Sequence, residues 1–218
     1  MDINKFTLWR ERGFNPEIIY DIGANKGSWT QSIRNIFPSS RFFLFEANEK
    51  NNAYINNEMY FNVLLSDMDN KEIKFYSHKY CDGGNTGDSA YKETSNGYAD
   101  GNYDIVLKKT IMLDTLVKEF NLPLPDFIKI DVQGAELDVL RGAQNCMENS
   151  AMILLEVALH QYNEGAPLFA EVIQYMNTKG FVAIDIIEHH TTFDNYLIQV
   201  DILFTKNNTP FHLKKMLV

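Results

Sequence analysis

A glycine turn after an acid-ended apolar run constrains the fold of this chain more than any other feature. Residues 18–27 read IIYDIGANKG, in which Asp21 ends the run and Gly23 and Gly27 open an amphipathic helical pattern. Glycine lets the backbone turn sharply and approach a ligand closely, where a Cβ would obstruct it. This order is typical of the first strand-to-helix crossover of a Rossmann-like sheet, where ligands bind beyond the carboxyl ends of the strands. The segment therefore predicts a small-molecule site.

The spacing of the glycines disfavours a dinucleotide at this turn. A pyrophosphate site uses G-x-G-x-x-G, but Asn25 stands where the second glycine belongs, and Trp29 and Thr30 follow where the third would fall. The Asp21 carboxylate repels phosphate and suits a cationic or hydroxyl-bearing group. S-adenosylmethionine, which carries an ammonium and a sulfonium but no phosphate, fits this electrostatics. The alternative is that Asp21 only caps the turn and Gly27 only packs.

Composition indicates one folded domain over residues 1–218, because 45% of the residues are hydrophobic and 13% are aromatic. The net charge of -9 disfavours nucleic acid as a partner, since phosphate binding needs clustered basic residues. Cys81 and Cys146 are the only two cysteines and have no metal-type spacing, so neither a zinc cluster nor a disulfide scaffold is indicated, and a reducing compartment is expected. No signal peptide or membrane-spanning stretch is recognisable. We therefore expect a cytoplasmic protein without a membrane partner; the oligomeric state stays open.

Apolar runs alternate with helical patterns along the chain, which predicts an α/β sheet covered by helices on both faces. After the first strand, the predicted strands are 41–45, 60–65, 72–77, 105–112, 127–132, 152–157, 181–187 and 197–205, and the predicted helices are 28–37, 48–56, 113–120, 135–142 and 168–178.

Two segments fall outside this alternation. Residues 1–15 suggest a short N-terminal helix that braces the domain. Residues 80–102 hold five glycines among polar residues and tyrosines, and long loops of this kind are often functional. Because Tyr91, Tyr98 and Tyr103 could stack on a ligand, the loop is interpreted as a substrate-facing insertion; a plain surface loop is the alternative.

Acids stand at the ends of four apolar runs, namely Asp21, Glu46, Asp131 and Glu156. The carboxyl ends of parallel strands open on one crevice, so these side chains should converge there. Glu46 is predicted to bind two ribose hydroxyls, with a helix cap as the alternative. Asp67, after the third strand, could face an adenine amine or only form a turn.

The roles of Asp131 and Glu156 stay open between orienting the ligands, acting as a base and holding a divalent cation. Asp201, inside another apolar run, is either a buried structural partner or a substrate contact. His160 and His190 each follow a predicted strand and are candidate bases, because histidine titrates near neutral pH.

Six motifs, taken in order, resemble the FkbM-type S-adenosylmethionine-dependent methyltransferases: DIGANKG, FLFEAN, LLSD, NTGDSAY, DFIKIDVQGAELDVLRGA and QVDILF. The fifth motif is the most specific, and the likeness spans about residues 18–206. The resemblance implies a Rossmann-like class I methyltransferase sheet of about seven strands with an antiparallel last strand. It also implies O-methylation of a small-molecule or glycan acceptor.

The resemblance places Asp131, Gln133 and Glu136 beside the reaction centre. It implies cofactor-binding residues at Asp21, Gly23, Asn25, Gly27, Glu46 and Asp67. Ala24, Ser66 and Asp131 are predicted to belong to the same cofactor site.

Methylation of an alcohol also requires a base for the hydroxyl proton. The predicted catalytic residues are His190 or Asp131 as this base, with Glu156 steadying the base or joining Asp131 at a divalent cation. A metal site is thus possible but not identified. The competing functions are an NAD-dependent oxidoreductase on a sugar-like substrate and a non-catalytic nucleoside-binding module.

Overall fold

Helices and strands alternate along the chain, as the sequence predicts. The computed structural model describes residues 3–54, 59–78, 87–94 and 103–211. The helices within these ranges are α1 Ile3–Glu11, α2 Ser28–Arg34, a 3-10 helix Glu49–Tyr54, α3 Leu113–Glu119, α4 Glu136–Arg141, α5 Gln144–Asn149 and α6 Phe169–Thr178. The strands are β1 Ile18–Ile22, β2 Arg41–Glu46, β3 Met59–Asn62, β4 Leu64–Leu65, β5 Glu72–His78, β6 Tyr103–Ile111, β7 Phe127–Ile130, β8 Met152–Ala158, β9 Phe181–Thr191 and β10 Leu197–Lys206.

The main sheet has seven strands in the order β3-β2-β1-β7-β8-β10-β9. Neighbouring strands from β3 to β8 are parallel, whereas β10 runs antiparallel to both β8 and β9. The predicted fold class, including the antiparallel last strand, is therefore confirmed. The strand order reverses between β1 and β7, and a sheet of this kind binds ligands at such a reversal.

Both faces of the sheet are buried, which explains the near-continuous apolar runs of its strands. Alternate residues of β1 belong to different clusters: Ile19 packs with Phe6 and Trp9 of α1, and Tyr20 packs on the opposite face. Helices α3 to α6 contribute to the cluster that contains Tyr20. The N-terminal helix thus covers one face of the sheet through Phe6, whose ring lies 5.9 Å from that of Phe127.

A second sheet of three strands, in the order β4-β6-β5, was not predicted. The predicted strand 60–65 is in fact two strands, because the chain leaves the main sheet at Val63. The amide of Val63 still bonds to the Glu46 carbonyl at 3.1 Å, but Leu64 already pairs with Thr110 of β6. The local sequence pattern does not reveal this change of partner.

Helix α5 was missed, since its N-terminus is capped by a distant side chain. The Asp114 carboxylate of α3 accepts bonds from the amides of Asn145 at 2.8 Å and Cys146 at 3.1 Å. The predicted helix 48–56 is a 3-10 helix over its described part, and residues 55–56 lie outside the described ranges. There the Asn48 side chain accepts a bond from the Lys50 amide at 3.0 Å, a local bond that competes with α-helix formation.

None of the helices in these ranges is long and apolar enough to cross a bilayer. Cys146 is a buried free thiol, and Cys81 lies outside the described residues.

Replacing Phe43 of β2 with alanine should destabilise the protein by about 3–5 kcal/mol, because a fully buried aromatic side chain leaves a cavity. Phe193→Ala, at a fully exposed position between β9 and β10, is the matched control and should change the stability by less than about 0.5 kcal/mol. Urea unfolding of both variants measures the difference. Equal losses would contradict the core assignment.

Candidate active site

A cavity of about 330 Å³ opens at the carboxyl ends of β1, β2 and β7, where the strand order reverses. This volume lies in the range of small-molecule sites. Of the predicted site residues, its walls contain Gly23, Ala24, Asn25, Glu46 and Asp131. The cavity therefore joins the glycine turn, the end of β2 and the end of β7.

The glycine turn requires backbone conformations that most residues avoid. Gly23, Asn25 and Gly27 have φ values of 73°, 48° and 76°. A Cβ built on Gly23 would lie 1.8 Å from the carbonyl oxygen of Asp131, so the turn packs directly against the end of β7. Gly27 stands at the N-cap of α2 and is not part of the cavity wall.

Glu46 ties the end of β2 to the turn. Its Oε2 accepts a bond from the Asn25 amide at 2.7 Å, and its Oε1 accepts one from the Asn48 amide at 2.7 Å. Burial raises the pKa of Glu46, while these two amide bonds oppose the increase. Each carboxylate oxygen retains a further lone pair for a ligand hydroxyl. Backbone capping is thus observed here, and ribose binding remains a prediction.

Asp21 is fully buried behind the cavity wall, where it meets a cation that the sequence analysis missed. Lys129 Nζ lies 3.3 Å from Asp21 Oδ1 and 3.2 Å from Asp131 Oδ2, and it donates to the Gly23 carbonyl at 3.3 Å. Thr30 donates to Asp21 Oδ2 at 2.6 Å. The Asp21 carboxylate, which was expected to repel phosphate at the turn, is therefore neutralised by Lys129. The signal in the sequence was a lysine inside the apolar run FIKI.

Asp131 and Glu156 are brought together by one side-chain amide. Gln133 Nε2 donates to Asp131 Oδ1 at 3.1 Å and to Glu156 Oε2 at 2.6 Å. Gln199 donates to the other oxygen of Glu156, and the Tyr162 hydroxyl donates to Gln199 at 2.5 Å. Burial, followed by the nearby carboxylates of Asp131 and other acids, raises the pKa of Glu156 well above its ordinary value.

Glu136, which was expected beside the reaction centre, holds the loop after β7. Its Oε1 accepts bonds from the amides of Val132 at 3.0 Å and Gly134 at 3.1 Å. Burial raises the pKa of Glu136 to about 7, although its bonds to backbone amides oppose the increase. Glu136 lies outside the walls of the main cavity. It therefore shapes the loop that carries Asp131 and Gln133.

Other predicted residues lie away from the cavity. Ser66 is buried and donates to the exposed Asp67 at 3.3 Å, and neither residue is part of the wall. His189 and His190 were predicted after a strand but lie within β9, which extends further because it pairs with β10. The side chain of His190 is exposed on this edge strand, and His160 is an exposed loop residue.

No arrangement of three or more histidine, cysteine, aspartate or glutamate side chains suited to a metal ion occurs in the described parts of the chain. The divalent-cation alternative thus has no support there.

The described part of the predicted insertion loop, residues 87–94, borders the cavity through Asp88 and Ala90. Ser89 donates to the Gln133 carbonyl at 2.7 Å, and the Tyr91 hydroxyl donates to Asp138 at 2.8 Å. The remaining loop residues, including Tyr98, lie outside the described ranges. The hydroxyl of Tyr103, on β6, donates to the Glu93 carbonyl at 3.0 Å.

Comparison with known proteins identifies a domain family. A sequence model of the Methyltransferase FkbM domain matches residues 21–183. The hexuronic acid methyltransferase AglP of Haloferax volcanii is 25% identical over 155 residues, which cover 69% of this chain and 59% of AglP.

Two solved structures share the fold. Methyltransferase FkbM from Methylobacillus flagellatus has a TM-score of 0.51 and 13% identity, with 85% of this chain and 43% of that chain covered. Magnesium protoporphyrin IX methyltransferase from Synechocystis, solved with bound SAH, has a TM-score of 0.50 and 10% identity, with 94% and 81% covered. The chain thus spans less than two thirds of AglP and of the Methylobacillus protein.

Gly23→Ala should disrupt the cavity, because the added methyl group meets the Asp131 backbone at 1.8 Å. Gly180→Ala is the matched control: Gly180 also has a positive φ, of 77°, but a Cβ there has no atom within 4 Å. Gly180→Ala should lower the free energy of unfolding only by the strain of an alanine at positive φ, about 1–2 kcal/mol. Thermal unfolding and calorimetric titration with S-adenosylhomocysteine compare the variants, and equal effects would contradict the close contact.

Asp201 lies opposite Glu156 and Glu188 on the neighbouring strands. Its Oδ1 is buried without a hydrogen-bond partner in the described structure. Burial, followed by the carboxylates of Asp131 and Glu188, raises the pKa of Asp201 to about 7 from an ordinary value of 3.8. The folded protein therefore binds this proton more tightly than the unfolded chain does, and stability falls as the pH rises from about 4 to 7.

Asp201→Asn should remove this loss of stability. We expect the variant to exceed the wild type in stability at pH 8 by on the order of 2 kcal/mol and to show little gain at pH 4. Asp194→Asn, at an exposed position between β9 and β10, is the control. Urea unfolding at both pH values measures the effect, and a gain that does not depend on pH would contradict the assignment.

Proposed function

The chain belongs to the FkbM methyltransferase family, and we propose that it transfers a methyl group from S-adenosylmethionine to a hydroxyl oxygen of a sugar, glycan or related natural product. The observation that carries this proposal is the convergence of the Gly23 turn, Glu46 and Asp131 on one cavity. The family assignment favours methyl transfer over the NAD-dependent alternative.

The residues of the cavity fit this cofactor. The turn lacks the glycines of a pyrophosphate site, and Glu46 offers carboxylate oxygens to a ribose diol.

A sugar acceptor is supported by the similarity to AglP, which is described as a hexuronic acid methyltransferase. The position of the loop segment 87–94 beside the cavity supports the insertion as part of the acceptor site. O-methylation also needs a proton acceptor, and Asp131 is a carboxylate of the cavity wall that is partly exposed, with 36% of its side chain accessible.

The proposed chemistry is a direct displacement. When bound, the sulfonium supplies a methyl group and leaves as a neutral thioether. Asp131 accepts the proton of the acceptor hydroxyl as its oxygen bonds to the methyl carbon. Gln133 keeps Asp131 beside Glu156, whose raised pKa favours its neutral form and limits repulsion between the two acids. His190 lies on the edge strand, so we prefer Asp131 as the base.

Asp131→Asn should lower methyl transfer by about 100-fold to 10,000-fold, because the amide cannot accept the proton. Its affinity for S-adenosylhomocysteine should stay within a few-fold of the wild type. Release of S-adenosylhomocysteine with a panel of methyl glycosides measures turnover, and calorimetry measures affinity. Asp194→Asn is the exposed control and should behave like the wild type.

Undiminished turnover by Asp131→Asn would exclude Asp131 as the base. Binding of NAD by the wild type, without binding of S-adenosylhomocysteine, would overturn the proposed cofactor.

A further inference from the structure

Lys129 has more contacts than a counterion for Asp21 would need. Its side chain is only 8% exposed, yet it belongs to the cavity wall. A fully buried aspartate requires a partner, and Lys129 with Thr30 provides one. The same ammonium also reaches Asp131, whose carboxylate faces the cavity. The contact between Lys129 and Asp131 therefore belongs to the cavity wall and not to the interior of the sheet.

The ammonium connects two parts of the cavity that come from different strands. It lies 3.3 Å from the Gly23 carbonyl, in the turn after β1, and 3.2 Å from Asp131 Oδ2, at the end of β7. Gly23 and Asp131 are also in backbone contact, which leaves no room for a Cβ between them. Lys129 thus fixes the position of the Asp131 carboxylate relative to the glycine turn.

The charge of Lys129 is maintained by its neighbours. Burial lowers the pKa of the ammonium, but the carboxylates of Asp131 and Asp21 raise it, and the result lies above the ordinary lysine value. The aromatic ring of Trp29, another wall residue, lies 5.9 Å from Nζ, within the range of a cation-π contact. Lys129 therefore stays cationic and does not exchange protons with the substrate.

We propose that Lys129 is a positioning residue for methyl transfer. Its ammonium holds the Asp131 carboxylate beside the glycine turn and supplies the positive charge that this carboxylate contacts. This inference rests on the proposed function. In the step concerned, the acceptor O–H bond breaks and its proton passes to Asp131. The oxygen forms a bond to the methyl carbon, and the sulfur keeps the electron pair of the broken C–S bond. Lys129 keeps its proton throughout.

The test separates positioning from charge neutralisation by using two variants. Lys129→Met keeps the length of the side chain but leaves Asp21 buried without its cation, so loss of stability is expected. The double variant Asp21→Asn with Lys129→Met removes both charges of the buried pair. Lys5→Met is the matched control, because Lys5 forms an ion pair with Asp185 at 2.8 Å outside the cavity.

The double variant should regain most of the stability lost in Lys129→Met, but its kcat should stay about 100-fold below the wild type because Asp131 is misplaced. The KM for S-adenosylmethionine should change by less than about threefold. In crystals with S-adenosylhomocysteine, the Asp131 side chain should leave its wild-type rotamer. Lys5→Met should match the wild type in all these measurements.

Recovery of wild-type kcat by the double variant would overturn the inference, because Lys129 would then only neutralise Asp21. The same holds if Asp131 keeps its wild-type rotamer in those crystals. A wild-type protein that binds no S-adenosylhomocysteine would instead overturn the proposed function, and the inference with it.

Discussion

The buried ammonium of Lys129 is the interaction on which the rest of the site depends. Asp21 and Asp131 come from neighbouring parallel strands, and both carboxylates lie within 3.3 Å of Nζ. Without this cation, the fully buried Asp21 would lack an opposite charge, and an unpaired buried charge is costly. One lysine in β7 thus allows two acidic strand ends to meet beside the same cavity.

The acids of the site fall into two groups with different environments. Asp21 and Asp131 share a cation, whereas burial, followed by neighbouring carboxylates, raises the pKa values of Glu156, Glu136 and Asp201. Neighbouring titratable groups in contrasting environments are typical of sites that move protons. Gln133 bridges one member of each group, because its side-chain amide donates to both Asp131 and Glu156.

The walls of the cavity depend on backbone contacts as much as on side chains. Gly23 brings the first turn against the end of β7, and Glu46 fixes Asn25 and Asn48 through their amides. Glu136 does the same for the loop that carries Gln133. The loops after β1, β2 and β7 are therefore each held by a carboxylate that accepts bonds from backbone amides, which limits the movement of the predicted ligand contacts.

The sequence by itself determined the alternation of strands and helices, the glycine turn and the placement of Glu46 and Asp131 at the cavity, because these follow from local periodicity and from the common direction of parallel strands. Only the tertiary structure decided that Asp21 is paired with Lys129, that residues 60–65 divide between two sheets, that Asp114 caps α5 and that His190 lies within an edge strand. The reason is physical: each of these features is set by a partner distant along the chain, and local sequence patterns carry no information about which distant group supplies a charge, a strand or a hydrogen bond.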